Sequence, residues 1–315
     1  MKKILTIFVL FIAVIIMSNC NANSQSLTQT ENYLNFSGGK IWYKVVGEGN
    51  GIPIITIHGG PGGTSYYLHP LIELGKNRPV IFYDQLGCGR SDRITDTSLM
   101  TVKHYVEELY QLINHLGLKE FYLYGQSWGT TLALEYYSIY PEGVKAIIFS
   151  SPYLNTELWM KDAQILLKTL PDTVQEDIRQ NEEKGTYDSP EYQSAVQLYY
   201  DKYICRKKPW SKDIEDSFAN MGANVYQYMV GPSEFTWTGT LKNYDGIDKL
   251  PKIKVPTLFI AGEFDEARPE TAKYFQSLVP NSQFEMTKGA AHMTIQDCPE
   301  QDIKVISKFI EDIEK

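Results

Sequence analysis

The chain predicts an α/β fold in which a mostly parallel sheet is covered by helices on both faces and carries an inserted helical cap. Three observations predict it. Short β-branched or aromatic runs alternate with helical periodicity before residue 152 and again after residue 251, as the crossover units of a parallel sheet do. Between them, residues 153–250 show helical spacing rich in Tyr, Trp and Met, with no buried strand. Finally, the β runs end in glycine and polar residues, at the sheet edge where open α/β folds place their sites.

The chain has 315 residues, 43% hydrophobic and 22% charged, with a formal net charge of -8. That composition describes a globular protein with a core of good size. It argues against a nucleic-acid partner, which would require a basic face.

Residues 1–20 read as a signal peptide rather than part of the fold. Lys2 and Lys3 precede an apolar run, Ile4 to Met17, too short for a comfortable membrane span. The run ends in Ile16-Met-Ser-Asn-Cys20, which resembles a bacterial lipobox with Cys20 as the lipidation site. Ordinary cleavage nearby and an uncleaved anchor are the alternatives. Residues 21–32 are polar and lack apolar periodicity, as a tether does. An exported protein follows, periplasmic or tethered to a membrane only through this signal or lipid anchor. Cys205 and Cys298 could pair in an oxidising compartment, and the sequence leaves that open.

The first part of the core spans residues 33–152. Tyr33 to Gly47 holds two alternating runs around Ser37-Gly-Gly-Lys40, a hairpin signal. Ile52-Pro-Ile-Ile-Thr-Ile57 is a buried strand running into His58-Gly-Gly-Pro-Gly-Gly63, and such a loop brings bare backbone N–H groups close to something. A helix is expected near Tyr66 to Gly75. Pro79 to Tyr83 is a second buried strand, ending in the polar loop Asp84 to Asp92, for which structural support of the site is the expected role. Met100 to Leu116 carries apolar residues at helical spacing and stops at Gly117.

Phe121 to Tyr124 then meets Gly125-Gln-Ser-Trp-Gly129, and a helix from Thr130 to Tyr140 stops before Pro141. Strand, G-x-S-x-G and helix form the nucleophile-elbow pattern: the serine sits in strained backbone on a sharp turn, and the flanking glycines leave room for its neighbours. Its hydroxyl stands above the carboxyl edge of the sheet, and the Trp128 N–H is free to face an oxyanion, with Gly60 N–H as the second donor. Val144 to Phe149 is the next strand. In the cap, residues 153–250, helices are expected at Leu158 to Leu170, Val174 to Glu183, Glu191 to Ile204 and Ile214 to Tyr228. The core's second part, 251–315, resumes at Val255 to Ile260, adds a last strand, Gln283 to Met286, and closes with an amphipathic helix, Glu300 to Ile313.

A neutral serine needs a base to take its proton, and the base needs an anion to fix its tautomer. Of five histidines, His292 alone follows a late strand, in a turn of small residues, and Asp265 sits just past the preceding strand. The order Ser127, Asp265, His292 is a known triad order on sheets of this kind. The Ser-His-Asp mechanism requires neither metal nor organic cofactor, and no C-x-x-C or Cys/His cluster suggests one.

His58-Gly-Gly-Pro-Gly62, Asp84-Gln-Leu-Gly-Cys-Gly-Arg-Ser91, Gly125-Gln-Ser-Trp-Gly129, Ser233-Glu-Phe-Thr-Trp-Thr-Gly239, Gly262-Glu-Phe-Asp-Glu266 and Gly289-Ala-Ala-His292 together resemble the proline iminopeptidase (prolyl aminopeptidase) family of α/β-hydrolases. The likeness runs from about Tyr33 to the end and is strongest with the subgroup that includes the archaeal tricorn-interacting aminopeptidase. The resemblance implies that Glu234, on the cap, and Glu266, after the triad aspartate, bind a substrate's free α-amino group. Two carboxylates there would hold an ammonium beside the scissile carbonyl and exclude blocked amino termini; Glu263 is expected to point away. The implied activity is a serine exopeptidase releasing proline or another small apolar residue from short peptides with a free N-terminus. An amino-acid amidase, or a lactonase or esterase on the same scaffold, is the first alternative. A binding protein that has lost catalysis is the second.

Overall fold

A computed structural model describes residues 27–315. The signal-peptide and lipidation readings, on residues 1–20 and Cys20, lie outside the described residues, as does the tether up to residue 26. The rest of the expected tether is shorter than the sequence suggests, because the first strand already begins at Thr30.

Eight strands form one sheet. They are β1 (Thr30–Phe36), β2 (Gly39–Val46), β3 (Ile54–Ile57), β4 (Val80–Tyr83), β5 (Phe121–Ser127), β6 (Val144–Pro152), β7 (Thr257–Gly262) and β8 (Ser282–Thr287). Their order is β1-β2-β4-β3-β5-β6-β7-β8. β1 pairs with β2, and β2 with β4, in antiparallel fashion, and every later pairing is parallel. The fold class read from the sequence is therefore the observed one.

The helices are α1 (Val102–His115), α2 (Trp128–Ile139), α3 (Thr156–Leu167), α4 (Asp172–Lys184), α5 (Pro190–Tyr203), α6 (Lys212–Ala219), α7 (Ala223–Met229), α8 (Pro269–Ser277), α9 (Thr294–Asp297) and α10 (Pro299–Ile313). Caps fix several starts. Thr101 accepts from His104 N at the head of α1, Asn155 from Leu158 N at α3, and Ser189 from Tyr192 N at α5, each pairing one donor that a helix start leaves open.

Alternation along each strand builds two cores. Ile55, Ile57, Leu123, Ile147 and Phe149 pack on one face against α1, α2 and α8. Ile54, Tyr122, Ile148 and Leu258 pack on the other against α10 and the segment Tyr66–Lys76. β3, β4 and β5 are buried throughout, as strands covered on both sides must be. A third cluster, with Leu166, Ile178, Tyr199 and Phe235, belongs to the cap.

The helix expected near Tyr66 to Gly75 is present as a 3-10 helix, Tyr66–Lys76, with Pro70 inside it, where an α-helix would lose a backbone donor. One local expectation is corrected. The single helix expected from Ile214 to Tyr228 is two, α6 and α7. At the break, Gly222 donates its N–H to Gly62 O at 2.7 Å, and a Cβ there would stand 2.5 Å from Gly87 O. The cap thus touches both glycine-rich loops of the core at a point where only glycine fits.

Candidate active site

The end of β5 supplies the serine. Ser127 has φ 54° and ψ -123°, and with Ser151 is one of two non-glycine residues at positive φ among those described. Such geometry costs of order 1–3 kcal/mol and persists only where the surroundings impose it. The glycines at either side answer to space: a Cβ on Gly125 would meet Gly129 O at 2.3 Å, and one on Gly129 would meet Ile57 O at 2.1 Å. Trp128 anchors the turn from below. Its indole is fully buried, donates to Gln85 Oε1 at 2.9 Å and meets Tyr105 edge-on.

Asp265, past β7, is saturated as an acceptor. Oδ1 takes Ala267 N at 2.8 Å, and Oδ2 takes Gly262 N at 3.0 Å and Ser151 Oγ at 2.6 Å. The remaining contact is to His292 Nδ1, at 2.8 Å. These contacts fix the carboxylate's orientation toward the ring, and a proton on Nδ1 leaves Nε2 as the free base of the ring. The His292 loop is held from behind by Gln126 Nε2 donating to His292 O and by His292 N donating to Tyr203 O. Trp159 lies edge-on to the imidazole, with ring centroids 5.6 Å apart.

A pocket of about 720 Å³, partly open to solvent, brings the predicted residues together. Gly60, Ser127, His292, Glu234 and Glu266 all line it, amid Tyr153, Trp159, Tyr200, Phe218 and Trp237. Gly60, at φ 116°, sits in a turn so tight that a Cβ would meet Gly63 N at 2.3 Å. Among the described residues no hydrogen bond joins Ser127 Oγ to His292; His292 Nε2 instead faces Glu266 Oε1 at 3.6 Å. Catalytic hydrogen bonds often tighten only once substrate is bound.

Glu234 and Glu266 approach this pocket from opposite layers, one from the cap and one from the sheet edge. Tyr226 OH donates to Glu234 Oε1 at 2.6 Å. Burial raises the Glu234 carboxyl above its ordinary range, against the opposing pull of that hydrogen bond and of His292. Burial raises Glu266 well above its range, and the charges of Glu234 and Asp265 push it further. Among the described residues neither acid is ion-paired to a lysine or arginine, and Glu266 faces only the His292 ring. Glu263 points away and accepts from Gly289 N at the surface.

The Asp84 loop is scaffolding. Asp84 accepts from Ser65 N and Oγ through one oxygen and from Arg90 N and Nη1 through the other. The Arg90 guanidinium lies between the rings of Trp42 and Tyr66, at 3.9 and 3.6 Å. Cys205 and Cys298 are both free thiols, the first against Asp297 and the second against Lys288 O. Among the described residues no group of three or more His, Cys, Asp or Glu is placed to hold a metal ion, and no helix is long and apolar enough to cross a membrane.

Sequence reasoning missed Ser151, Tyr226 and Glu182. Ser151 lay within reach, as a polar residue at the carboxyl end of a buried strand. Nothing in the spacing around Tyr226 or Glu182 marks either.

Residues 52–297 match the family model described as alpha/beta hydrolase fold. The fold and the serine-bearing elbow thus define an α/β-hydrolase. The chain is 44% identical to the proline iminopeptidase of Heyndrickxia coagulans over 288 residues, covering 90% of this chain and 99% of the relative. It is 37% identical to that of Clostridium botulinum, covering 89% and 98%. Among solved structures, a proline iminopeptidase from Mycobacterium smegmatis superposes with a TM-score of 0.84 at 31% identity, covering 90% of this chain and 98% of that one. The chain belongs to the proline iminopeptidase family of α/β-hydrolases. It is accordingly an aminopeptidase built on that scaffold.

Proposed function

We propose that the enzyme is a serine exopeptidase that releases an N-terminal residue, proline or another small apolar one, from short peptides. The observation that carries this reading is the pair of carboxylates, Glu234 half-buried on the cap and Glu266 buried at the sheet edge, in the same pocket as Ser127 and His292. An α-ammonium held between them presents the first carbonyl of the peptide to the serine. The aromatic walls suit a small apolar side chain. An acetylated amine would bring no positive charge to either acid, which disfavours it.

In the proposed cycle His292 Nε2 takes the proton of Ser127 Oγ as that oxygen attacks the carbonyl carbon. Asp265 holds the ring through Nδ1 and stabilises the imidazolium. The N–H groups of Gly60 and Trp128 receive the oxyanion, each such donor contributing roughly 10²–10³ in rate. His292 then returns the proton to the departing amine nitrogen. Water attacks the acyl-enzyme with His292 again as base, and the free amino acid leaves.

Aminoacyl-naphthylamides, each with a free and an acetylated amine, test the reading. Turnover of free amines alone, fastest with proline, is expected. Equal turnover of acetylated or neutral acyl substrates, unchanged by Glu234→Ala, would replace it with the amidase, lactonase or esterase alternative. We further propose export through residues 1–20 with lipid attached at Cys20. Radiolabelled palmitate should enter the wild-type chain in cells and not a Cys20→Ala chain.

A further inference from the structure

One carboxylate in the cap is spent on hydroxyls rather than on a cation. Glu182, in the last turn of α4, accepts from Ser233 Oγ at 2.6 Å and also from Thr236 Oγ1 and from Tyr192 OH on α5. Ser233 Oγ in turn accepts the N–H groups of Phe235 and Thr236, both at 3.1 Å. A hydroxyl that donates to a carboxylate becomes a better acceptor, so the acid tightens the turn from Ser233 to Thr236 through its own hydrogen-bonded serine.

That turn carries Glu234. Phe235 points one way, into the cap core, edge-on to Tyr199 with centroids 5.0 Å apart. Glu234 faces the other way, into the active-site pocket, where Tyr226 holds it. Glu182 and Thr236 lie on the far side of the turn, lining a separate outer cleft beside α4. Glu182 thus does not line the pocket itself, yet it ties α4, α5 and the turn together behind the residue that does.

We propose that Glu182 is a positioning residue for specificity: it aims Glu234 at the substrate's α-ammonium by locking the Ser233 turn. The inference rests on the ammonium-binding reading of Glu234. It predicts that loss of Glu182 weakens turnover of free-amine substrates while leaving the serine chemistry intact. Loss of one hydroxyl donor should do the same to a smaller degree.

The test measures kcat/KM for prolyl-naphthylamide and for the neutral ester 4-nitrophenyl acetate in Glu182→Ala, Glu182→Gln, Tyr192→Phe, Glu234→Gln and the Glu182→Ala/Glu234→Gln double variant. Phosphonate labelling of Ser127 and a thermal midpoint report that each protein is folded. Glu182→Ala should cut the amide value about tenfold and leave the ester value within about twofold, with Glu182→Gln, which keeps one acceptor, in between. On the Glu234→Gln background, adding Glu182→Ala should change the amide value less than about twofold, because coupled residues are not additive. Equal loss on both substrates would make Glu182 a general structural residue and overturn the inference, as would an unchanged amide value beside a crippled Glu234→Gln. Should Glu234→Gln itself leave the amide-to-ester ratio untouched, the ammonium reading fails and the positioning role with it. If Glu182→Ala does not fold, Tyr192→Phe carries the same comparison.

Discussion

The sheet edge and the cap hold their halves of the site by different means. Ser127, Asp265 and His292 stand at the ends of strands or in the loops that follow them, on a sheet whose β3, β4 and β5 are buried throughout. Their positions follow from strand register, and the hydrogen bonds around Asp265 only finish the aim. Glu234 has no such lattice beneath it. It sits on a four-residue turn pinned by Glu182, Ser233, Tyr226 and one buried phenylalanine. On the proposed function, the comparison places reaction chemistry on the rigid layer and substrate choice on a more adjustable one, as rigid scaffolds with variable caps allow.

The largest effect should come from the rigid side. Ser127→Ala should lower kcat by roughly 10⁶ with KM and melting point little changed, read by steady-state kinetics on prolyl-naphthylamide. A residue that lost only tenfold would not be the nucleophile.

Packing separates the two regions next. Phe149 is fully buried in β6 against Phe259, 5.1 Å away, and Phe149→Ala should cost about 3–5 kcal/mol in denaturant unfolding. Phe235→Ala in the cap should cost less and should depress amide turnover more than ester turnover. Identical profiles for the two variants would erase the distinction between the layers.

On the cap side, Glu234→Gln should reduce kcat/KM for free-amine substrates by about 10²-fold, the scale of truncating one partner of a buried charge pair. Ester hydrolysis should be spared.

The pH behaviour gives a smaller, sharper test. Both acids must be ionised to hold an ammonium, and both titrate above the ordinary carboxylate range. The acid limb of kcat/KM for amide substrates should therefore fall at higher pH than for esters. Stability runs the opposite way. An acid that keeps its proton more tightly when folded loses stability as pH rises from its unfolded value through its folded one. Glu266→Gln should thus raise the melting point by a few degrees above that window and by little below it, about 2–4 °C per kcal/mol for a chain of this size. A lowered melting point at neutral pH would show that Glu266 is stabilising as an anion.

Much of this was legible in the chain because it is written in short-range pattern. The β-branched runs at Ile54–Ile57 and Val80–Tyr83 mark buried strands by themselves, and a glycine on either side of Ser127 marks an elbow because nothing larger fits. The order of serine, aspartate and histidine along the chain follows from strand order. Other features depend on partners far away in sequence and have no period to read. Gly222 breaks an otherwise continuous helical pattern only because it lands on Gly62 and Gly87. Cys205 and Cys298 are both free thiols in the fold, one against Asp297 and the other against Lys288 O. Ser151, Tyr226 and Glu182 acquire roles from neighbours brought close by folding, Ser151 and Asp265 being 114 positions apart. Local spacing determines which elements form and in what order; which side chains meet across layers is decided by packing, since long-range contacts leave no mark on either residue's own neighbourhood.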